Sequence, residues 1–192
     1  MPVRKNRSLV TWLAAATLVM SGAAEATLVS NGGFETGDFT GWTQFGDTSF
    51  SGVDGTTPQA GLFAAYFGPV VATGGIFQTL ATTAGFHYNV SFWLKNEADP
   101  SGVSIPNSFE FNWDGGAAEV AQVNLSSFGY TEYTVNNLVA SSASTDLRFS
   151  FSHGPAFWDL DSVSATVPEP GSLALVGLAG LLASRVSRRR QG

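Results

Sequence analysis

The sequence predicts an all-β fold, built as a two-sheet antiparallel β-sandwich. Polar and apolar residues alternate with a period of two in several segments, and clusters of Gly, Asn, Asp, Ser and Pro separate these segments. Strict alternation places the apolar side chains on one face of a strand, as in antiparallel sheets with one buried face. No convincing helical period occurs in residues 27–166, and nine or ten short strands in this span fit two packed sheets.

Three segments alternate most clearly, namely residues 86–95, 108–114 and 146–152. In the second, aromatic residues occupy one face and Glu, Asn and Asp occupy the other. A Gly-Gly pair at 115–116 then joins this segment to the next, which is typical of a hairpin. Further strands are predicted between the turn clusters, at 28–35, 42–50, 62–67, 75–80, 119–125, 130–138 and 157–166.

The N-terminal residues 1–26 are typical of a secretory signal peptide. Three basic residues lie within the first seven positions, and an apolar run follows at 9–23. Small residues at Ala24 and Ala26 suit a signal peptidase, so cleavage is expected after Ala26. The alternative is a permanent membrane anchor, but the run is shorter than the ~20 residues that a spanning helix needs.

The C-terminal residues 167–192 contain a second addressing signal in three parts. Pro168, Glu169 and Pro170 precede an uncharged run at 171–184, which can form a short transmembrane helix, and an arginine cluster at 185–190 follows. The arginines would keep that end of the helix on the cytoplasmic side. This order resembles the PEP-CTERM sorting signal of Gram-negative bacteria, and the resemblance implies processing by an exosortase after transient inner-membrane anchoring. The alternative is an ordinary single-span tail anchor that faces the periplasm. Both interpretations place the body outside the cytoplasm, and the sorting signal implies the cell surface or the extracellular space.

The body between these signals is strongly acidic. Residues 27–167 contain thirteen acids and only two cations, Lys95 and Arg148, which gives a net charge of −11. Binding to nucleic acid requires several cations on one face to neutralise phosphates, so nucleic acid is excluded as a partner. The chain contains no cysteine, so its core or a metal must stabilise the exported domain.

The two ends of the body carry a second resemblance. The body opens with Leu-Val-Ser-Asn-Gly-Gly-Phe-Glu-Thr-Gly at 28–37 and closes with Trp-Asp-Leu-Asp-Ser-Val-Ser at 158–164. Together these motifs resemble the galactose-binding-like jelly rolls, and in particular carbohydrate-binding modules of the family 4/9/22 type. The resemblance implies neighbouring first and last strands with a structural Ca²⁺ beside them.

The same resemblance matches Glu35 and Asp161 to calcium-binding carboxylates, and Gly33 can offer its carbonyl oxygen, since Ca²⁺ takes six to eight oxygen ligands. The alternatives are an exposed acid in a Gly-rich turn for Glu35 and a turn-forming side chain for Asp161. Asp159 is a weaker candidate because the motif does not match it.

Four residues are candidate ligand contacts. Trp93 stands on the polar side of the alternating segment 86–95, beside Asn89, Ser91 and Lys95, and can serve as a stacking platform for a sugar. The alternative is contact with a covering loop, for which residues 98–107 are the candidate. Tyr66, Gln78 and Asn112 are weaker candidates, chosen because their polar groups lie on predicted strands, whereas Trp42 and Trp113 are expected to pack in the interior.

The residues that enzymes use for catalysis are sparse in this sequence. It has two histidines, no cysteine and no nucleophile-elbow or zinc-protease motif, and a glycosidase pair of Glu110 and Glu119 is weaker than the alternative of two solvated acids. We therefore expect a non-catalytic protein. Two hypotheses follow, a binding module for a glycan such as the exopolysaccharide of its own cell, and a structural surface or matrix scaffold without a small ligand.

Overall fold

The computed structural model describes residues 27–168, which form ten β-strands and no helix. The predicted signal peptide and residues 169–192 of the predicted sorting signal lie outside these residues. The strands are β1 (Thr43–Gly46), β2 (Ser51–Asp54), β3 (Ala64–Phe67), β4 (Gly74–Ala81), β5 (His87–Asn96), β6 (Asn107–Trp113), β7 (Ala118–Val123), β8 (Phe128–Val139), β9 (Ser144–His153) and β10 (Trp158–Thr166).

The strands form two five-stranded antiparallel sheets packed face to face. The front sheet has the order β1-β4-β9-β6-β7, and the back sheet has the order β2-β3-β10-β5-β8. Neighbours in each sheet are mostly distant in sequence, so the chain crosses between the sheets repeatedly. The predicted two-sheet antiparallel sandwich is confirmed.

The core between the sheets is largely aromatic. Phe67 of the back sheet stacks on Phe151 of the front sheet, with ring centroids 4.0 Å apart and planes 2° from parallel. Phe92 lies edge-on to Phe149 at 5.1 Å, which joins the centres of the two sheets in the same way. These four rings are at most 1% exposed, and burial of one such side chain contributes about 1.5–3 kcal/mol. Trp113 and Trp42 are also buried, as expected.

Two strand predictions are wrong at the N-terminal side of the domain. Residues 28–35 form turns, because Asn31 and Phe34 adopt left-handed φ values of 50° and 56°. The segment still runs beside β10, since Leu28 N donates to Ala165 O at 2.7 Å and Val163 N donates to Gly32 O at 2.8 Å. The predicted strand 42–50 contains only β1, because Gly46 has a φ of 66° and interrupts the extended backbone. Strand β2 begins at Ser51, one residue after the end of the predicted strand.

The hairpin between β6 and β7 is confirmed, but its turn lies one residue earlier than the Gly-Gly pair. Asp114 and Gly115 have positive φ values of 56° and 68°, and Gly116 N donates to Trp113 O at 3.0 Å. Positive φ at both central residues is the mark of the type I′ turn, whose twist matches the flanking strands.

Candidate functional site

The three residues predicted to bind calcium lie together at the start of the domain. A Cβ atom built on Gly33 would lie 3.7 Å from Cγ of Glu35 and 3.8 Å from Oδ1 of Asp161. Glu35 reaches this point from the N-terminal turns and Asp161 from β10, because the N-terminal segment pairs with the last strand. The sequence therefore identified residues that meet in space although they lie at opposite ends of the body.

Both carboxylates hold the loop that connects β2 to β3. Asp161 Oδ2 accepts hydrogen bonds from Gln59 N at 2.9 Å and from Ala60 N at 3.1 Å. Glu35 accepts from Leu62 N at 3.0 Å and from Phe63 N at 3.3 Å. The carboxylates thus fasten residues 59–63 against the back sheet.

Three backbone amides donate to the Asp161 carboxylate, and within residues 27–168 it forms no salt bridge with a cation. Burial raises the pKa of this fully buried carboxyl, the amides of Ala60, Ser162 and Gln59 lower it, and the nearby charge of Glu35 raises it further. Two carboxylates are suitable ligands for a hard cation, and here the amides of residues 59–63 compete with such an ion for the same oxygens. In residues 27–168 no group of three His, Cys, Asp or Glu side chains is close enough to hold a metal, so backbone carbonyls would have to complete a calcium site.

Asp159 belongs to a separate ionic cluster on the outer face of the back sheet. Its carboxylate accepts from Lys95 Nζ at 2.9 Å, and the same ammonium group contacts Glu97 and donates to Thr57 Oγ1 at 3.1 Å. Burial raises the pKa of Asp159 to about 7, although Lys95 opposes this shift. Burial by itself lowers the pKa of Lys95, but its hydrogen bonds to Glu97 and Asp159 raise it overall.

Two cavities adjoin this cluster and form what we call the back groove. One has a volume of about 330 Å³ and the other about 430 Å³, and Glu97 lines both. The first also contacts Tyr66 and Phe157, whose rings meet edge to face at 5.6 Å and 90°. The back groove thus combines aromatic walls with acids and one lysine. It is lined in full by Asp54, Thr56, Thr57, Tyr66, Lys95, Asn96, Glu97, Ala98, Ser127, Phe128, Gly129, Phe157 and Asp159.

Trp93 and Tyr66 both lie on the outer face of the back sheet. Trp93 is half-buried and stands opposite Asp161 and Glu132 in the strand register. Tyr66 faces Asp159, and its ring crosses over β2 at Gly52, where a Cβ atom would lie 2.5 Å from the Tyr66 hydroxyl oxygen. Tyr66 therefore lines the back groove, whereas Trp93 lies two residues from Lys95 along β5.

Gln78 is placed in the interior. It is 8% exposed, its Oε1 accepts from Ser30 N at 2.8 Å, and its Nε2 donates to Ser30 O at 3.0 Å and Gly41 O at 2.9 Å. All of these bonds hold the N-terminal segment on β4. This arrangement leaves the amide no group for a ligand, so the assignment of Gln78 as a ligand contact needs correction to a structural role.

Asn112 lies on the opposite side of the molecule, on the outer face of the front sheet. It stands beside Arg148 in the register between β6 and β9, and Arg148 stands beside Phe77 of β4. The guanidinium carbon of Arg148 is 3.4 Å from the centroid of the Phe45 ring, and Phe45 and Phe77 lie 6.4 Å apart. We call this surface, formed by Phe45, Phe77, Glu110, Asn112 and Arg148, the front face.

Phe45, Phe77 and Arg148 are functional candidates that were not predicted from the sequence. Most Phe residues of this chain are core, so composition favours the interior for each of them. The available signal was the placement of Arg148 on the polar side of the alternating segment 146–152, which is the argument that selected Trp93.

The two histidines occupy different environments. His153 is buried, its Nε2 lies 2.7 Å from Asn96 Oδ1, and its Nδ1 accepts from Ala156 N at 3.2 Å. Burial lowers the pKa of His153, although Glu97 opposes this effect. His87 is exposed at the start of β5. His153 therefore has a structural environment, with both ring nitrogens engaged.

Comparison with known proteins identifies the C-terminal signal. Residues 166–191 match the family model of the PEP-CTERM protein-sorting motif. No curated protein matches the chain in sequence. In residues 27–168, no helix has the length and apolar character needed to cross a membrane.

Several solved structures with the same fold are carbohydrate-binding modules, and the fold also aligns with part of the enzymatically active domain of the bacteriophage CBA120 tailspike protein 4, with a TM-score of 0.53 and 17% identity, over 74% of this chain and 21% of that one. TmCBM61 in complex with β-1,4-galactotriose aligns with a TM-score of 0.58 and 20% identity, over 74% of this chain and 99% of that one. The CBM22-1 xylan-binding domain of Paenibacillus barcinonensis Xyn10C aligns with a TM-score of 0.51 and 17% identity, over 77% and 97%. A further xylan-binding domain from CBM 22 aligns with a TM-score of 0.53 and 15% identity, over 75% and 97%.

These similarities establish the jelly-roll fold of the body, and the identities are too low to transfer any ligand contact. The chain therefore combines a PEP-CTERM sorting motif with a β-sandwich that has the fold of carbohydrate-binding modules.

Proposed function

We propose that this is an exported cell-surface or matrix protein whose sandwich binds a glycan without catalysis and is sorted by an exosortase. The PEP-CTERM motif implies exosortase-targeted export, and the fold shared with carbohydrate-binding modules supports glycan recognition. The observation that carries the proposal is the arrangement of the front face. There, two half-buried aromatic rings lie beside a guanidinium, an amide and a carboxylate.

The chemistry of the front face suits a sugar. Aromatic rings cover the apolar C–H surface of a pyranose, while a few fixed polar groups bond its hydroxyls. Packing of the Arg148 guanidinium on Phe45 fixes the plane of its N–H donors. Ser150 and Glu110 lie next to each other in the register beyond this pair, so the polar groups continue across β9 and β6.

A screen of the purified protein against immobilised glycans tests this function. The panel includes β-1,4-galactan and xylan, because the structural neighbours are described with these ligands, together with the exopolysaccharide of the producing cell. The proposal expects saturable binding to at least one polysaccharide and no release of reducing ends. Failure to bind any member of the panel supports the second function, a structural scaffold without a small ligand, which the acidic surface also fits.

We further propose that Glu35, Asp161 and the carbonyl of Gly33 bind a structural Ca²⁺. The convergence of two carboxylates at Gly33 supports this site, and the loop amides at 59–63 are the groups that would have to share these oxygens with the ion. The bound ion would supply positive charge that neutralises the buried carboxylate of Asp161 together with the exposed carboxylate of Glu35. Its effect would be on stability.

Thermal unfolding with Ca²⁺ and with EDTA tests the metal site. A ligand that binds only the folded state, at a hundred times its Kd, stabilises by about 2.7 kcal/mol. We therefore expect a rise of several degrees in Tm for the parent and for the control Glu119→Gln, whose acid is exposed on β7. Glu35→Gln and Asp161→Asn should lose this rise, and a parent curve that EDTA leaves unchanged rules the site out.

A further inference from the structure

We propose that the back groove is a second glycan site, specific for amino sugars whose amino groups are free and protonated. This inference rests on the proposed glycan-binding function and names a different surface and ligand class. The back groove lies on the outer face of the back sheet, whereas the front face lies on the outer face of the other sheet.

The shape of the back groove suits an oligosaccharide. Its two cavities of about 330 and 430 Å³ share Glu97, and their lining residues extend from Asp54 on β2 to Gly129 on β8. These are the two edge strands of the back sheet, so the groove crosses all five strands. Adjacent strands lie about 4.8 Å apart, so its length is roughly 19 Å.

The charge of the back groove favours a cationic ligand. Asp54, Glu97 and Asp159 line it, and Lys95 is the single cation among its lining residues. Lys95 shows how the groove holds an ammonium group, because its Nζ contacts Glu97, Asp159 at 2.9 Å and Thr57 at 3.1 Å. Asp54 is exposed and accepts only the Thr56 amide among these residues, at 2.9 Å, so its charge remains open to a ligand.

Aromatic and hydroxyl groups supply the remaining sugar contacts. Tyr66 and Phe157 form a wall beside the acids. The hydroxyl groups of Thr56, Thr57 and Tyr66 line the same cavity and can bond the hydroxyls of a sugar.

The experiment compares two tetrasaccharides that differ only in their amino groups. Titration calorimetry of the purified protein, at constant Ca²⁺, measures the binding of β-1,4-linked glucosamine tetramer and of its fully N-acetylated counterpart. We expect the free amine to bind about tenfold more tightly at low ionic strength, and we expect high salt to remove most of this preference. Equal affinity for the two tetramers overturns the proposal.

Matched variants locate the site. Glu97→Gln should weaken binding of the free-amine tetramer about fivefold, whereas Glu119→Gln removes the same charge from an exposed position on β7, outside both surfaces, and should leave it unchanged. Asp54→Asn is the second groove variant, because its side chain is exposed and its loss does not disturb the core. Retained affinity in both groove variants overturns the proposal.

The proposals for the two surfaces can be contradicted independently of each other. Phe77→Ala, on the front face, should leave binding of the glucosamine tetramer unchanged. If Phe77→Ala abolishes this binding and the groove variants keep it, the back groove is not the site, and the proposed function at the front face stands. If the groove variants no longer bind the tetramer and the parent binds no other glycan, the back groove is supported as a binding site and the proposal for the front face is contradicted.

Discussion

Single buried polar residues hold the long loops of this protein on its sandwich. Gln78 fixes the N-terminal segment through the backbone of Ser30 and Gly41, and Asp161 fixes the β2–β3 loop through the amides of Gln59 and Ala60. Each is placed by a strand and satisfied by backbone groups. Buried polar groups are tolerated when they are hydrogen-bonded in this way, and removal of one partner leaves the other unsatisfied.

His153 makes the stability of the domain depend on pH. Its Nδ1 accepts the Ala156 amide, and burial lowers its pKa in the folded protein. The folded state therefore prefers the neutral ring, so this contribution to stability is present above the unfolded pKa of about 6.5 and is lost as pH falls below it. The raised pKa values of Asp159 and Asp161 act in the opposite direction over the same pH range, so the parent is compared with a variant: between pH 7 and pH 5 the parent should lose more Tm, or gain less, than His153→Gln. An equal loss of Tm in parent and variant would contradict this role.

Trp93 and Trp113 should respond differently to truncation. Trp113 is 3% exposed and its Nε1 donates to Val139 O at 3.0 Å, so Trp113→Ala should cost about 3–5 kcal/mol of stability. Trp93 is half-buried on the outer face, so Trp93→Ala should fold and should weaken only binding to the back sheet. Thermal unfolding and affinity electrophoresis of both variants check this. Equal destabilisation by the two substitutions would show that Trp93 is a packing residue.

At the scale of the elements, alternation predicted the strands that have one buried face. Segments 86–95, 108–114 and 146–152 correspond to β5, β6 and β9 within two residues at each end. Alternation failed at residues 28–35, where the apolar Val29 and Phe34 are buried by turns with positive φ and not by a strand. The spacing of apolar residues indicates which side chains are buried. It does not indicate whether the backbone that buries them is a strand or a series of turns, because that depends on the backbone angles.

The candidate sites were only partly predictable from the sequence, because the order of the strands in each sheet brings their residues together and local patterns do not indicate that order. Glu35 and Asp161 could be paired from the sequence because a family motif places both. Arg148 and Phe45 could not be paired, because β1 meets β9 only through β4 and no local pattern reports that order. Gln78 was misassigned because its strand alternates poorly near the glycines at 74 and 75.

The β6–β7 turn tests the contribution of one element to stability. Gly115 has a φ of 68°, and a Cβ atom there would meet nothing within 4 Å. Gly115→Ala should therefore destabilise by about 1–2 kcal/mol through backbone conformation alone. Gly115→Asn should cost less, since Asn tolerates this region, and denaturant unfolding of both variants measures the difference. A loss as large for Asn as for Ala would argue against backbone conformation as the cause.

At the scale of the whole molecule, an acidic β-sandwich is followed by a motif for sorting. The two outer faces carry different chemistry, with the only arginine of residues 27–168 on the front face and the only lysine in the back groove. Two glycan-binding faces on opposite sheets would allow one molecule to join two polysaccharide chains. Such a role agrees with export to a surface or matrix.

Processing at both ends is expected in the exported protein. The mature chain should begin at Thr27 and should lack the arginine cluster at 185–190, because we expect signal peptidase and an exosortase to remove these segments. Intact mass of the protein recovered from the cell surface or the medium measures both ends. A surface species that retains Arg190 would contradict exosortase processing.

The binding of a glycan at the front face is tested most directly by one matched comparison. Phe77→Ala removes a half-buried ring from that face, whereas Phe86→Ala removes a ring that is 54% exposed elsewhere on the surface. Calorimetric titration with the polysaccharide selected by the screen should show about tenfold weaker binding for Phe77→Ala and unchanged binding for Phe86→Ala, with all three proteins folded. Parent-like affinity in Phe77→Ala would contradict the assignment of the front face as the glycan-binding surface.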